Sequence, residues 1–470
     1  MAIWVPELGG RRGPKYLQIV EALTESITAG ALRPGDRLPP HRELAYQLGL
    51  SPNTTSRAYG EAVNRALIRG EIGRGTFVRG PSSPPVWKDR ADLRRVADGP
   101  IDLSRNLPLP GLAGAALTRS CAAMGASGGL EALADYQTDA DLERHQAAAR
   151  TWIAHHGLET CEEVMTTNGA QHGIFCALTA LTEPSGLLLV QPLCYQPVIA
   201  MARNLGLKLA TLACDADGPC PQDLDRLCRE RMVSAIYLTP TLDTPTGRTM
   251  SAARRADLAE VIRAHGACLI EDDVFALYQP ERPAPIATLV PEQTIYVTSV
   301  SKCLAPGLRV GFVHAPQAVA ARLRAAINLT VWMTPPITAD IVSRWMRDGT
   351  ASQLADAQIS ASVERQALAK RILKDYLPAT PAAGLHLWLT LPEGWTADLM
   401  CMRAARRGVL LANGTAFAVP APAGSGTPAS GTNAVRISLG HEADTARVES
   451  GLTILKSLLD AGPEYTEPWL

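Results

Sequence analysis

Hydrophobic positions follow two regimes along the chain. Near its start, Leu17, Val20, Leu23 and Ile27 recur at close to helical spacing, which predicts a first helix with one buried face. Gly30 and then Pro34-Gly35-Asp36 end it, and Leu38-Pro39-Pro40 leads into a short helix from His41 to Leu48, stopped by Gly49. Ser51 reads as an N-cap, with Pro52 at the first helical position, where a missing N–H costs nothing. The spacing predicts the next helix from Pro52 to about Arg69. Its first turns are polar (Asn53, Thr54, Thr55, Ser56, Arg57), and Ala58, Val63 and Leu67 follow as packing positions. Two short helices joined at Gly49-Leu50 fit a helix-turn-helix. Glu71-Ile72-Gly73-Arg74-Gly75-Thr76-Phe77-Val78 then reads as a small hairpin, a wing.

The second regime begins at about Ile101. Helical stretches such as Leu142 to His155 and Ala252 to His265 alternate with short apolar runs, Gly186 to Val190, Ala235 to Leu238 and Cys268 to Ile270. Apolar strands between helices predict a mostly parallel sheet covered on both faces. The regimes are separated by Gly80-Pro81-Ser82-Ser83-Pro84-Pro85 and the charged stretch Lys88 to Arg95, which continues neither a helix nor a central strand. A second breaker-rich stretch, Pro420 to Gly426, reads as a surface loop. The expected organisation is a mostly α N-terminal domain over 12–80, a linker over 81–100 and an α/β domain over 101–465.

Composition changes this picture little. Hydrophobic residues make up 46% and charged residues 19% of 470, which suits packed domains and not extended disorder. The net charge of −1 conceals an asymmetry. Residues 1–90 hold 13 Lys and Arg against 8 Asp and Glu, and the remainder holds 32 against 38. A basic front on an acidic body fits a nucleic-acid-binding head. The ten cysteines include no C-x-x-C pair, so reduced, buried thiols are expected, with no metal site. The first residues lack the pattern of a signal peptide, and no apolar run approaches the ~20 residues that span a bilayer. A cytoplasmic protein is expected.

The candidate chemistry centres on Thr298-Ser299-Val300-Ser301-Lys302, with Arg309 seven residues beyond the lysine. The lysine follows an apolar strand, Ile295-Tyr296-Val297, and sits among hydroxyls. Hydroxyls with an arginine suit a phosphate, and a desolvated lysine near cations can lose its proton and attack an aldehyde. This segment resembles the fold-type I pyridoxal-phosphate enzymes of the aspartate aminotransferase family. The resemblance implies that Lys302 forms the internal aldimine and that Ser299, Ser301 and Arg309 hold the phosphate. Four further segments match in order. Thr166 to Gly173 is a strand end, a turn and a helix start whose Ala170 and Gln171 amides suit the phosphate. Gln191-Pro192-Leu193-Cys194-Tyr195 implies Tyr195 as the ring stacked on the cofactor. Ile270-Glu271-Asp272-Asp273 supplies a carboxylate for the pyridine nitrogen, assigned to Asp272 with Asp273 as the alternative. Asn433 to Ser438 matches the segment whose arginine, here Arg436, binds an amino acid's carboxylate. The chain also departs from the family. Thr244 stands where an Asn usually precedes Pro-Thr-Gly, and Val274 or Phe275 replaces a Tyr that bonds the cofactor's phenolic oxygen.

At the other end, Ala29 to Pro39, Arg42-Glu43-Leu44-Ala45, Ser51-Pro52-Asn53-Thr54 and Gly73 to Val78 resemble the GntR-type winged helix. By that likeness Arg42, Ser51, Asn53, Thr54, Arg57, Arg74, Gly75 and Thr76 face double-stranded DNA. Pro52 and Ser56 stand where the family often has Arg. The halves together resemble the MocR subgroup of GntR regulators, with Ala58-Tyr59 and Gly384-Leu385-His386 among the shared features. The resemblance implies a homodimeric, pyridoxal-phosphate-dependent transcription regulator. Its aminotransferase-like domain senses an amine or amino-acid effector through the Lys302 aldimine, with Tyr136 reaching the neighbour's phosphate. Among MocR types the resemblance is to the ectoine-utilisation regulators, which implies a diaminobutyrate derivative as effector. The rival expectations are an active aminotransferase carrying a DNA-binding domain and a repressor whose cofactor site is degenerate.

Overall fold

The first amphipathic stretch folds as the helix Lys15–Thr28 in a computed structural model of the chain, with Ile19, Val20 and Leu23 buried and Leu17 and Ile27 half-buried. The structure describes residues 4–8, 13–33, 35–64, 67–71, 75–78, 99–158, 163–377, 381–420 and 431–463. The chain divides into two units, Met1–Arg94 and Arg95–Leu470. In the first, His41–Leu48 ends on Gly49 in the left-handed region (φ 62°), which lets the chain turn into the helix Pro52–Asn64. Thr55 Oγ1 donates to the His41 carbonyl at 2.8 Å, and the buried Tyr59 hydroxyl donates to the Pro39 carbonyl at 2.7 Å. These bonds tie the third helix to the second and to the segment before it.

One boundary differs from expectation. The third helix stops at Asn64 and not near Arg69, because Ile68 begins a strand, Ile68–Glu71, antiparallel to Gly75–Val78. Ile68 faces Val78 across that hairpin and both are buried, so sheet pairing overrides the helical spacing of Leu67. The wing therefore starts three residues earlier than the sequence suggested. The short strand Arg37–Leu38 completes its sheet.

The second unit is built on a seven-stranded sheet in the order Val164–Thr167, Gly311–His314, Thr294–Ser299, Leu269–Asp272, Val233–Leu238, Leu187–Val190, Lys208–Thr211. All neighbours run parallel except Gly311–His314, which is antiparallel to both of its own. The predicted apolar strands lie near its middle, and Leu188, Val190, Ile270, Ile295 and Val297 are almost wholly buried against helix Ala170–Leu181. Each such side chain contributes about 1.5–3 kcal/mol on removal from water. The nine described cysteines are unpaired; Cys176, Cys194 and Cys303 are buried, while Cys121 and Cys214 are exposed, so burial is not general.

A smaller antiparallel sheet of His386–Thr390, Ala434–Ser438 and Ala412–Asn413 packs on helices Ala397–Arg406 and Thr445–Ala461. The segment entering this unit is held to it at once. Arg447 Nη2 donates to the carbonyls of Gly99 and Pro100, and Ile101–Asp102 pairs in parallel with Val409–Leu410.

Register decides where the chemistry lies. Ser299 stands opposite Gly311, and Gly311 opposite Thr167. The C-terminal ends of two strands, the turns that follow them and the start of a third strand therefore meet at one edge. A Cβ on Gly311 would lie 2.5 Å from the Gly169 carbonyl carbon and 2.8 Å from the Ala170 nitrogen. Gly169 itself has φ 82°, and a Cβ there would lie 2.7 Å from Arg309 Nη2. Replacing Gly311 with Ala drives a side chain into backbone, and the expected loss of stability is about 1–3 kcal/mol. A lower urea midpoint for the second unit, at unchanged slope, checks this.

Candidate functional site

The edge where these strands end holds a cavity of about 210 Å³. It is lined by Ala170, Gln171, Tyr195, Asp272, Ser299, Ser301, Lys302, Arg309 and Arg436, so the cofactor and effector residues singled out in the sequence, Asp273 and Tyr136 apart, meet in one place. They come from five separate stretches of the chain and share a location because parallel strands deliver their C-terminal ends to one side.

At one end, helix Ala170–Leu181 begins after Gly169 with no side-chain cap, leaving its first amides and the positive end of its dipole for an anion. Arg309, in the left-handed region (φ 53°), folds its guanidinium over this turn, and Nη2 donates to the Asn168 carbonyl at 3.2 Å. Ser301 Oγ is buried without a partner. Two amides, two serines and a guanidinium thus surround the place where a phosphate would sit.

Lys302 is half-buried, and its Nζ donates to the Asn106 carbonyl. Burial, and then the charge of Arg436, pull the amine down to about 8; Asp272 opposes this and Arg309 adds to it. The amine also stands 5.7 Å from the centre of the Phe275 ring.

Asp272 is buried, with Oδ2 accepting from the Tyr237 hydroxyl at 2.7 Å and Oδ1 without a partner. Burial pushes its carboxyl up to about 6, against the hydrogen bond from Tyr237. Strand alternation sends Asp273 elsewhere: it accepts from Tyr296 at 3.0 Å, approaches Arg282, and does not line the cavity.

Arg436 lies in the buried strand Ala434–Ser438. Its Nη2 donates to the Ser104 carbonyl at 2.7 Å, its guanidinium sits 4.8 Å over the Phe417 ring, and its Nε has no partner. Burial pulls it down to about 10, so it stays charged at neutral pH. Lys302, Arg309 and Arg436 against Asp272 give the lining an excess of positive charge, suited to an anionic ligand.

Thr244, Val274 and Phe275 also line the cavity, so the departures noted in the sequence fall inside it. Where the family has a tyrosine hydroxyl, Val274 and Phe275 offer only apolar side chains. Sequence reading missed Asn106, Leu107 and Tyr237. Asn106 lies 196 residues before the lysine it touches, and Tyr237 stood in an apolar run that reads as core. Neither carries a local signal. Tyr136 is exposed, its ring 6.2 Å from that of Trp332.

In the first unit Arg42 and Asn53 are exposed. Ser51 Oγ accepts from the Thr54 amide at 3.2 Å and lies 2.9 Å from the Thr54 hydroxyl, so this pair caps the helix. Arg57 is exposed but packs over the Tyr16 ring at 4.1 Å. Gly75 pairs with Glu71 at the start of the second hairpin strand, and Thr76 is half-buried. Arg74 lies outside the described residues, as do the expected linker from 81 to 98 and residues 421–426 of the expected loop. Among the described residues no helix is long and apolar enough to cross a membrane.

Comparison with known proteins agrees with this arrangement. Residues 100–449 match the family Aminotransferase class I and II, and residues 15–78 match the gntR family of bacterial regulatory proteins. The chain is 27% identical over 462 residues to the HTH-type transcriptional regulator YdeF of Bacillus subtilis (strain 168), covering 97% of each. It is 28% identical over 412 residues to the vitamin B6 salvage pathway transcriptional repressor PtsJ of Salmonella typhimurium, covering 86% of this chain and 91% of PtsJ. Among solved structures, the α-aminoadipate aminotransferase LysN of Thermus thermophilus superposes with a TM-score of 0.68 at 22% identity, covering 77% of this chain and 93% of LysN. The unpartnered Asp272 Oδ1 and Ser301 Oγ, the uncapped helix start and the three cations fit pyridoxal phosphate, the cofactor of this family. The chain belongs to the aminotransferase class I and II family, and joins that fold to an N-terminal gntR-type helix-turn-helix in the architecture of HTH-type transcriptional regulators.

Proposed function

We propose that the chain is a cytoplasmic, homodimeric transcription regulator that binds operator DNA through a winged helix over 12–80 and senses an amino-acid effector in a body over 101–465, with 81–100 as linker. The observation that carries the reading is the convergence on one cavity of an amine drawn down to about 8, a carboxylate with a bare oxygen and two guanidiniums. Pyridoxal phosphate supplies an aldehyde that condenses reversibly with amines and a ring that withdraws electrons.

Each residue then has a task. Lys302 carries the cofactor through its amine, since a depressed ammonium releases its proton near neutral pH. Asp272 holds a proton on the pyridine nitrogen, Tyr195 stacks on the ring, and Ala170, Gln171, Ser299, Ser301 and Arg309 bind the phosphate. Arg436 receives the effector's carboxylate, for which a guanidinium fork is suited. An effector amine that engaged the cofactor would free Lys302, and the side chain so released would reorganise the lining. Preference of the effector for one arrangement shifts the regulator between two DNA-binding states. A diaminobutyrate derivative is the effector class the reading favours, as in ectoine-utilisation regulators.

The rival, a working aminotransferase with a DNA-binding appendage, shares Lys302, Asp272 and Arg436. Thr244, and Val274 or Phe275, argue against it, because they withhold groups that tune the cofactor for turnover.

Borohydride reduction and mass spectrometry of the purified protein are expected to give a pyridoxyl adduct on Lys302. Amine titration is expected to change the absorbance and an operator gel shift together, with little net keto acid. Absence of the adduct, or steady production of keto acid, overturns the reading. In cofactor-free protein, acetic-anhydride labelling of Lys302 should rise with a midpoint near pH 8, since the neutral amine is the nucleophile. Arg436→Leu removes a neighbouring cation and should move that midpoint upward. Arg42→Ala should weaken DNA binding about equally across sequences and lower the slope of log affinity against log salt by about one, as expected for a lost phosphate contact.

A further inference from the structure

The Gly384-Leu385-His386 segment has no task in the function proposed above, yet His386 stands directly behind Asn106. Its Nε2 lies 3.2 Å from the Asp243 carbonyl oxygen, which only accepts, so Nε2 carries the proton. Burial, and then the charges of Arg436 and Lys302, push the imidazole down to about 3, so the ring is neutral and Nδ1 is a bare lone pair. Nδ1 is 3.0 Å from the Asn106 carboxamide, and only the amide nitrogen can face it. The imidazole tautomer thus fixes which way the amide points.

The consequence falls on the other end of that amide. Asn106 Oδ1 is turned away from His386, buried and without a partner, on a residue that lines the cavity. The backbone carbonyl of the same residue accepts from Lys302 Nζ, and that of Ser104 accepts from Arg436. Residues 104–106 therefore run alongside the span from the reacting amine to the carboxylate-binding guanidinium. A buried acceptor without a donor is costly, and a ligand donor that reaches it recovers that cost.

With an amino acid held between Lys302 and Arg436, as in the function proposed above, we propose that Asn106 Oδ1 is the specificity-determining acceptor for a second donor on the effector. That donor is an amino or hydroxyl group distinct from the amine that reacts, and His386 is the residue that positions the acceptor. A methyl group at that place leaves the oxygen bare, and a carboxylate repels it.

The test uses the full-length protein with its cofactor and four probes of matched length: L-2,4-diaminobutyrate, L-homoserine, L-2-aminobutyrate and L-aspartate. Affinities are read from the change in cofactor absorbance. The two donor probes are expected to bind about tenfold or more tightly than the other two. Asn106→Leu should erase that ranking, so that the two donor probes bind no more tightly than 2-aminobutyrate measured on the same variant. His386→Leu should weaken it, and His386→Gln, which can still accept from Asn106, should restore part. Equal binding of all four probes by the unsubstituted protein overturns the assignment and leaves the proposed function standing. Silence to all four defeats the underlying reading and this one with it. A second measurement needs no effector: long-range ¹⁵N NMR of cofactor-free protein, with His386→Gln for assignment, should show the neutral Nε2–H form of His386 at pH 7. The Nδ1–H form or an imidazolium overturns the assignment.

Discussion

Where the chain leaves the turn after Lys302, its backbone presses on the backbone of Gly169 and Ala170, with no room for a side chain at Gly311. The cavity's arrangement depends on that contact. It brings the start of a helix, with its free amides, under the guanidinium of Arg309, and holds both at a fixed distance from the lysine seven residues earlier. The antiparallel strand Gly311–His314, lying between two strands that run parallel to each other, makes the contact possible, because it starts at the edge that those strands have just reached. A wider turn at either glycine would separate the anion-binding end from the nucleophile, and neither could hold one small molecule with the other.

Electrostatics completes what geometry begins. Three cations and one carboxylate share a small volume, and burial first, then their neighbours, moves Lys302, Asp272 and Arg436 from ordinary acidity. Lys302 loses hold of its proton because burial and Arg436 both disfavour charge. Asp272 is reluctant to ionise because it is buried, and Tyr237 supplies the hydrogen bond that limits this. Such a set is poorly balanced alone. A ligand bearing a phosphate, a carboxylate and a ring cation balances it group by group.

Much of this was legible in the residues. The strand-end segments carrying Lys302 and Asp272 announce themselves by polar groups set directly after apolar runs, Arg436 came only from the family resemblance, and the folded chain gathers all three in one lining. The first three helices follow their caps and breakers, except at Asn64, where pairing of Ile68 with Val78 outweighs helical spacing. Asn106 and Tyr237 were hidden because their importance comes from what the fold places beside them. A lone Asn before Leu-Pro looks like any loop residue until a lysine 196 positions away arrives against it. Tyr237 looks like core packing until Asp272 turns its oxygen toward the hydroxyl. Strand alternation, a rule of the backbone, separates Asp272 from Asp273, which the sequence alone left open.

The entry of the chain into its larger unit has a mechanical meaning. Gly99 and Pro100 are gripped by Arg447, Ile101 and Asp102 pair with Val409 and Leu410, and the next few residues touch Arg436 and Lys302. The peptide that arrives from the nucleic-acid-reading end is thus part of the wall of the ligand chamber. The same few residues thus anchor the start of the unit and line its cavity, so a change in what the cavity holds bears directly on that anchorage.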